Sequence, residues 1–368
     1  MSARAVVTIL TSAVGLGVYI PALLIERKLR SRQVIVDVEV IEGYYKPSYQ
    51  QSHRAIRDAH HASFALAQLA HRMARGIEHC LDKARVEALL ARWHQEDRRH
   101  FIVWSGFWLP LLERYREVQR GKRLEVDHCR IDAVVSASFK VHTGIESADH
   151  EVWLWNWAQR RIEHEVAVTD APPIPFAARE DRLVVHGGGW GIGTYRMAIP
   201  ELARTPYALD VVIYHPSEAP HARTDDRVYM LHSAWNAWDR DAAGVLAFPP
   251  MQEVIDRTAV PALRNADHHS MHDVIRASKA IVSKPGGCTL IDSLAAATPV
   301  VLLQPFGYAE ETNATIWKHL GFGISYTAWR ETGYDEAVLA RLHANIIRRT
   351  RGIDYAEAYI DQLLETSR

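Results

Sequence analysis

The stretch HGGGWGIGT, residues 186–194, decides the fold. It directly follows a short apolar run, residues 183–185, and leads into a helical pattern near Tyr195. Five glycines within seven residues let the backbone approach an anion closely, and the first N–H groups of a helix favour negative charge. The spacing fits neither the dinucleotide fingerprint nor a Walker loop, which needs Gly-Lys-Ser/Thr. We therefore predict an anion-binding loop; the alternative is a tight turn with close packing.

A second glycine-led turn, SKPGGCTLIDSLAAATP at residues 283–299, repeats this arrangement. The pattern predicts a strand that ends at Ser283, a helix that begins near Thr289, and a stop at Pro299, which starts the next strand. Asp292 lies one turn inside this helix, where its carboxylate can reach two neighbouring ribose hydroxyls. The alternative is a capped helix with an ordinary surface aspartate.

A third segment, QPFGYAEETNA at residues 304–314, follows the apolar run 300–303. Its polar cluster comprises Glu310, Glu311, Thr312 and Asn313, directly before or within the start of a helix. Such a cluster at a strand end suits hydrogen bonds to sugar hydroxyls. The alternative is a solvated helix start with acidic residues in its first turn, which is a common stabilising arrangement.

Short apolar runs alternate with helical patterns along the whole chain, which is the signature of parallel α/β architecture. The predicted strands are residues 5–10, 34–41, 101–104, 131–136, 182–185, 209–214, 228–231, 280–283 and 300–303, with a helical block at 51–93. The proline-rich residues 171–181 read as a linker. We predict domains at 1–170 and 182–352, a cleft between them, and a C-terminal helix at 353–368 that can pack back on the first domain.

Residues 182–323 resemble the C-terminal domain of family 28 glycosyltransferases, which include the peptidoglycan N-acetylglucosaminyltransferases. More distantly they resemble plant and antibiotic UDP-glycosyltransferases. Three segments in the family's order carry the resemblance: the glycine loop 187–191, residues 286–292 against Gly-Ala-x-Thr-x-x-Glu, and residues 310–313. The resemblance implies the GT-B fold, in which two Rossmann-like doubly wound domains face a central cleft and the second domain binds the donor.

The resemblance also implies a site and a reaction. The donor is a nucleotide-sugar, either UDP- or dTDP-linked, and the acceptor is a hydroxyl or amine; transfer is inverting, uses one general base and needs neither metal nor cofactor. The implied donor contacts are Gly188, Gly189, Trp190, Gly191, Gly286, Gly287, Cys288, Thr289, Asp292, Glu310, Glu311 and Asn313. Trp190 and Asp292 replace the family's usual Gln and Glu.

The N-terminal half resembles the family less closely. Residues 15–21 resemble its first glycine loop, and residues 105–110 resemble its Gly-Gly-Tyr-x-x-x-Pro turn. The first loop commonly carries a histidine, often proposed as the base, where this chain has Val18. We therefore expect a base elsewhere in this domain, either Glu42 after the second predicted strand or His142 beyond residues 131–136.

Composition excludes some classes of function. The 43 basic and 44 acidic side chains nearly cancel, so the chain lacks the charge of a general nucleic-acid-binding protein. Its three scattered cysteines give no disulfide framework or zinc spacing, which suits a reducing cytoplasm. Glycines and Pro21 break the apolar N-terminal stretch, so we predict no membrane span. Residues 20–25 lead into a basic amphipathic stretch at residues 26–32, however, and this pattern would suit a peripheral membrane contact.

Several alternatives stay open. Asp239 and Asp241 copy a metal-binding Asp-x-Asp, and His268, His269 and His272 could bind zinc, but we predict no metal because such sites need more converging ligands. A GT-B nucleotide-sugar epimerase would use carboxylates near the sugar, such as Glu310 and Glu311. Val18 would also suit an inactive nucleotide-sugar-binding subunit. The acceptor, a lipid or a small molecule, and the oligomeric state are not decided by the sequence.

Overall fold

A computed structural model describes residues 6–119, 121–145, 148–219, 223–256, 258–263 and 265–366. The first half of the chain alternates strands with helices. Its elements are β1 (Val6–Thr11), α1 (Tyr19–Ser31), β2 (Ile35–Val40), α2 (Pro47–Ala62), α3 (Phe64–Arg72), α4 (Lys83–Gln95), β3 (His100–Val103), α5 (Leu109–Gln119), β4 (Glu125–Arg130), α6 (Ala137–Lys140) and β5 (His150–Trp153). Three two-residue strands follow: β6 (Trp155–Asn156), β7 (Arg161–Ile162) and β8 (His164–Glu165).

The second half repeats the alternation. Its elements are β9 (Glu180–His186), α7 (Tyr195–Leu202), β10 (Ala208–Ile213), β11 (Arg227–Leu231), β12 (Met251–Ile255), β13 (Thr258–Leu263), α8 (Met271–Ala277), β14 (Ser278–Ser283), α9 (Gly287–Ala296), β15 (Val300–Leu302), α10 (Tyr308–Leu320), β16 (Gly323–Ser325), α11 (Tyr326–Glu331), α12 (Glu336–Arg348), β17 (Ile353–Asp354) and α13 (Tyr355–Thr366).

The first sheet is parallel, with strand order β2-β1-β3-β4-β5. The chain moves outward from β1 to β2 and then crosses back to β3, so the order reverses between β1 and β3. Loops that follow the strands on the two sides of such a reversal diverge and leave a crevice at the carboxyl ends of the strands. The loops after β1, β3 and β4 therefore form one wall of a potential binding site.

The second sheet has the order β13-β12-β11-β10-β9-β14-β15-β16. Strands β9 to β11 and β14 to β16 are parallel, whereas β12 and β13 are antiparallel additions at one edge. The order reverses between β9 and β14, where His186 pairs with Ser283. Both glycine-led segments found in the sequence therefore leave this sheet at its reversal point.

Most predicted strands are confirmed to within two residues, but the strand predicted at residues 131–136 is wrong. The strand is β4, and residues 131–136 form the loop that follows it. Its polar side chains hide it from a search for apolar runs. They are satisfied in the fold, since Asp127 accepts a hydrogen bond from the Tyr355 hydroxyl at 2.8 Å and Arg130 pairs with Glu151.

The two halves are joined by buried polar contacts. Asn313 in α10 accepts a hydrogen bond from the backbone N–H of Ala133 at 2.9 Å and donates to the Asp132 carboxylate at 2.8 Å and to the Pro285 carbonyl at 3.1 Å. A Cβ atom added to Gly287 would lie 2.4 Å from the Ile131 side chain, so the backbones approach closely here. The loop after β4 is thereby held against the second glycine turn.

The last helix returns to the first half. Residues of α13 contact α1, and Glu357 pairs with Lys28 and Arg32. Residues 20–25 of α1 lie in the core rather than on the surface, so this apolar stretch does not provide the membrane-facing side expected from the sequence. Within the described ranges, no helix is both long enough and apolar enough to cross a bilayer.

Candidate functional site

A cavity of about 970 Å³ lies between the halves, at the carboxyl ends of both sheets. One wall comes from the loops after β1, β3 and β4 together with helices α2 and α3. The other comes from the loops after β9, β14 and β15. This is the position at which open α/β sheets bind ligands.

The first glycine loop is a compact turn at the end of β9. Ile192 donates a backbone hydrogen bond to Gly187 at 3.1 Å, and Gly188 and Gly191 adopt positive φ angles of 77° and 59°, which favour glycine. A Cβ atom on Gly189 would lie 2.5 Å from Leu16, and one on Gly191 would lie 2.8 Å from His61. The alternative of a tight turn with close packing is therefore partly correct. These glycines line the cavity, and their lack of a side chain also lets the two halves approach each other.

Trp190 within this loop is buried and also lines the cavity. It packs with Ala67 and Ile192, and the rings of His53 and His60 lie 5.4 and 6.1 Å from its own ring. Trp190 therefore links the loop to α2 and α3 of the first half.

The second glycine turn leads directly into α9, which begins at Gly287, two residues before the predicted start. Gly286, Gly287, Cys288 and Thr289 all line the cavity, and their contact with a donor stays a prediction. The first turn of α9 thus presents its backbone N–H groups and the positive end of its dipole to this space.

Lys284 lies between the two glycine loops, and it is not among the site residues predicted from the sequence. Its Nζ atom is 2.5 Å from Oε1 of Glu310 and would lie 3.4 Å from a Cβ atom on Gly286. Its Cε atom would lie 4.0 Å from a Cβ atom on Gly188 of the other loop. The sequence feature that could have pointed to Lys284 is its position between a predicted strand end and a glycine pair. In the structure this position puts a cation where the two glycine loops converge.

Asp292 is a buried carboxylate that lines the cavity, not an ordinary surface aspartate. Its Oδ1 atom lies 2.9 Å from Nε2 of His269 and 3.4 Å from Nδ1 of His272. Although burial alone would raise the pKa of Asp292, the two histidines hold it well below its usual range. The predicted ribose contact stays a prediction, and it would have to coexist with this pairing.

His269, His272 and Asp292 also form the one group of potential metal ligands found among the described residues, with ligand atoms within 4.8 Å of one another. The sequence pointed to the histidines but not to Asp292 as their partner. Asp239 and Asp241, by contrast, hold turns: Asp239 accepts a hydrogen bond from Asn236, and Asp241 accepts from the backbone of Ala243.

Three residues were expected to contact the sugar, Glu310, Glu311 and Asn313, and the structure places each of them differently. Glu310 lines the cavity, and its Oε2 atom accepts the N–H of Phe306 at 2.7 Å while Oε1 pairs with Lys284. Glu311 is exposed and lies outside the described cavity lining. Asn313 is fully buried and uses its amide to join the two halves. The expectation that Glu311 and Asn313 face the ligand is therefore not supported by their placement.

Neither residue expected to act as base lies in the described cavity lining. Glu42 is fully buried behind the loop that follows β1, where it accepts hydrogen bonds from the Ser12 hydroxyl at 2.6 Å and the Ala13 N–H at 2.9 Å. His142 is buried with its Nδ1 atom 3.6 Å from Glu78. Both positions were chosen because they follow predicted strands, but the side chains stabilise loops instead of facing the cleft.

Asp132 is a carboxylate that the loops of this wall present to the cavity, and Asp58 of α2 is a second one on the same wall. Asp132 follows β4 by two residues, in the loop 131–136 that the apolar pattern had predicted to be a strand. Burial raises the pKa of Asp132 to about 6, and the hydrogen bond from Asn313 opposes this rise. An aspartate with this pKa can accept a proton near neutral pH.

The remaining wall of the first half is largely apolar and aromatic. Helices α2 and α3 and the neighbouring loops contribute Tyr45, Tyr49, Ile56, Ala70, Ile77 and Phe107. This surface faces the glycine loops across the cavity and is suited to an apolar or aromatic ligand.

Comparison with known proteins identifies the fold. No protein-family model and no curated protein matches the sequence. Among solved structures, MurG from Acinetobacter baumannii matches with a TM-score of 0.55 at 10% identity, over 98% of this chain and 99% of that one. A UDP-glucosyltransferase from Polygonum tinctorium, in complex with 3,4-dichloroaniline, matches with a TM-score of 0.54 at 11% identity, over 99% and 100%.

The chain has the GT-B fold. A spinosyn rhamnosyltransferase complexed with thymidine diphosphate matches as well, with a TM-score of 0.50 at 12% identity over 98% and 96% of the two chains. Because at least 96% of each chain is covered, the likeness of fold extends over both sheets. At these identities it is a likeness of fold, as the resemblance in the sequence had implied.

Proposed function

We propose that this GT-B protein is an inverting, metal-independent glycosyltransferase that uses a UDP- or dTDP-sugar. The observation that carries the proposal is the position of Lys284 between two glycine loops at the reversal point of the second sheet. Lysine and backbone N–H groups at this point would bind a diphosphate and stabilise the charge that develops on it as it leaves.

The two nucleotides follow from different observations. The sequence resemblance to UDP-glycosyltransferases favours UDP, and the thymidine diphosphate complex of a GT-B neighbour favours dTDP. The acceptor would enter from the first half, where the apolar wall formed by α2 and α3 suits a hydrophobic alcohol, phenol or amine. Such an acceptor would face the donor sugar across the cleft.

The epimerase alternative has lost support. It depended on Glu310 and Glu311 as carboxylates near the sugar, but Glu311 is exposed and both oxygens of Glu310 have partners. A carboxylate that is already paired with Lys284 is better placed to position that lysine than to abstract a proton from carbon.

Calorimetric titration with UDP, TDP and ADP, followed by transfer assays with the matching sugar donors, tests the proposal. We expect UDP or TDP to bind in the presence of EDTA, with ADP as the control that binds more weakly. Transfer should then be detected by mass spectrometry on a panel of phenols and hydrophobic alcohols. A protein that binds none of these nucleotides would contradict the proposal, as would one that epimerises the free donor without transferring it.

A further inference from the structure

The carboxylates that line the cavity differ in their hydrogen-bond and ion-pair partners. Among the described residues, Asp58, Asp132, Asp292 and Glu310 line it. Asp58 is bound by the Tyr214 hydroxyl at 2.5 Å, Asp292 is bound by two histidines, and Glu310 is bound by Lys284 and by a backbone N–H. Asp132 accepts one hydrogen bond, from Asn313 to its Oδ1 atom.

The location of Asp132 suits proton transfer to an acceptor. It belongs to the first half, from which the acceptor is proposed to enter, whereas the proposed diphosphate site belongs to the second half. Asn313 bridges Asp132 and the Pro285 carbonyl, which places the carboxylate beside the turn that contains Lys284. An acceptor bound between the two halves would therefore have the Asp132 carboxylate close to the donor site, where its proton can be removed as the sugar is transferred.

We propose that Asp132 is the general base that deprotonates the acceptor. The inference rests on the proposed function. The acceptor O–H bond breaks as its proton passes to the Asp132 carboxylate, and the acceptor oxygen bonds to the anomeric carbon. The bond from that carbon to the diphosphate oxygen breaks, and its electron pair leaves with the diphosphate. The step needs no further reactant.

The surroundings of Asp132 fit this role. Burial raises the pKa of Asp132, and the nearby Glu310 carboxylate raises it further, while Asn313 and the Lys284 ammonium oppose the rise. A base whose pKa lies near the working pH is both largely ionised and basic enough to assist transfer. The assignment also explains how the chain can carry Val18 where the family's first loop commonly carries a histidine. Asp132, in the loop after β4, would supply the base in place of that histidine.

His71 is the main competitor. It also lines the cavity and lies on α3 of the first half, with its ring 5.0 Å from that of Phe306. Its side chain is exposed, and the structure gives it a ring contact instead of a hydrogen bond that would orient it. An unoriented imidazole is a weaker base candidate than a carboxylate held by Asn313.

Asp132→Asn tests the proposal, because asparagine keeps an oxygen that can accept from Asn313. We expect kcat/KM for a phenolic acceptor to fall by about 10²- to 10⁴-fold with unchanged affinity for UDP or TDP. The fall should be larger for phenol than for the more acidic 4-nitrophenol, since an acidic acceptor needs less help from a base. In the wild type, kcat/KM should decline below about pH 6, and the variant should lose this decline.

Asp127→Asn is the matched control, because Asp127 is a buried aspartate with a raised pKa on β4, the strand that precedes Asp132, but it contacts Tyr355 instead of the cavity. The Asp127→Asn variant should keep the wild-type decline of kcat/KM below about pH 6. It should also keep the wild-type ratio of kcat/KM between phenol and 4-nitrophenol. If Asp132→Asn does not fold, Asn313→Ala is tested instead. Loss of the hydrogen bond from Asn313 should raise the pKa of Asp132, so the acid decline in kcat/KM should move to higher pH. An unaltered pH profile in Asp132→Asn, or its loss in His71→Asn, would overturn the assignment.

The design separates the two proposals. A wild type that transfers sugar together with an Asp132→Asn variant of equal activity would overturn only the base. A wild type that binds UDP or TDP but transfers sugar to no phenol or alcohol would overturn the proposed function, and the assignment of Asp132 with it.

Discussion

Ser283 pairs with His186 across the neighbouring parallel strands β14 and β9. The loops that follow these two residues are the two glycine-led segments, and they leave the sheet side by side because the strand order reverses between them. Lys284, the next residue after Ser283, therefore lies against both loops at once. This register explains how segments about 100 residues apart in sequence come together at the proposed diphosphate site.

Replacing Lys284 with methionine should weaken UDP or TDP binding and lower kcat by about 10²- to 10³-fold, since one stabilising cation is lost from the leaving group. Lys279→Met is the matched control, because Lys279 lies at the other end of β14, where it pairs with Glu336. The control should lower the melting temperature without changing nucleotide affinity. Calorimetry and steady-state kinetics measure both effects, and equal nucleotide affinities in the two variants would contradict the diphosphate site.

Gly189→Ala should destabilise the protein by about 1–3 kcal/mol, because the added methyl would meet the side chain of Leu16. Leu16→Ala should relieve part of this cost in the double variant. Gly188→Ala should also destabilise, through its positive φ angle, but Leu16→Ala should give no rescue there. Denaturant unfolding of the two double-mutant cycles measures the coupling. Identical coupling in both cycles would argue against contact between the loops.

The sequence predicted the sheets better than the site. Glycine loops and apolar strands are local patterns, so the strands on both sides of Ser283 were located within two residues. Strand β4 was missed because Asp127 and Arg130 are buried only through partners far along the chain or on the next strand, Tyr355 and Glu151. An apolar-run criterion cannot detect a strand whose polar groups are satisfied by the tertiary structure.

Errors in the site have the same cause. Glu42 and His142 follow predicted strands, but whether a side chain faces the cleft or stabilises a loop depends on the hydrogen bonds it finds, such as those from Ser12 to Glu42. Lys284 and Asp132 acquire their roles through Glu310 and Asn313, which lie 26 and 181 residues away along the chain. Single-sequence patterns carry no information about such pairs.

Stability should decrease as the pH falls from about 6.5 to about 4, and His186 should account for part of the loss. Burial lowers the pKa of His186 to about 4, below the value of about 6.5 in an unfolded chain. Over this range the unfolded state binds a proton that the folded state does not, so acid favours unfolding by up to about 3 kcal/mol from this residue. Asp292, Lys284 and His269 are the charged or titratable groups that act on it.

His186→Asn isolates this contribution, because asparagine can still accept the hydrogen bond that the Gly188 N–H donates to Nδ1. The difference in unfolding free energy between pH 7.5 and pH 5 should be smaller in the variant than in the wild type. His53 has a similarly lowered pKa, so part of the pH dependence should remain. A variant with the full wild-type dependence would show that His186 is protonated at its ordinary pKa in the folded protein.

Treatment with EDTA should leave sugar transfer unchanged, since Lys284 and the two glycine loops are proposed to hold the diphosphate without a divalent ion. The observation that most directly opposes this prediction is the group of His269, His272 and Asp292, whose ligand atoms lie close enough together to bind a divalent ion. Their contacts are accounted for as a histidine–aspartate–histidine hydrogen-bond network, in which Asp292 accepts from both rings. His269→Gln should therefore lower stability more than nucleotide affinity. Elemental analysis of the purified protein distinguishes the two cases: one zinc per chain, lost together with activity in EDTA and in His269→Gln, would replace the metal-independent mechanism with a metal-assisted one.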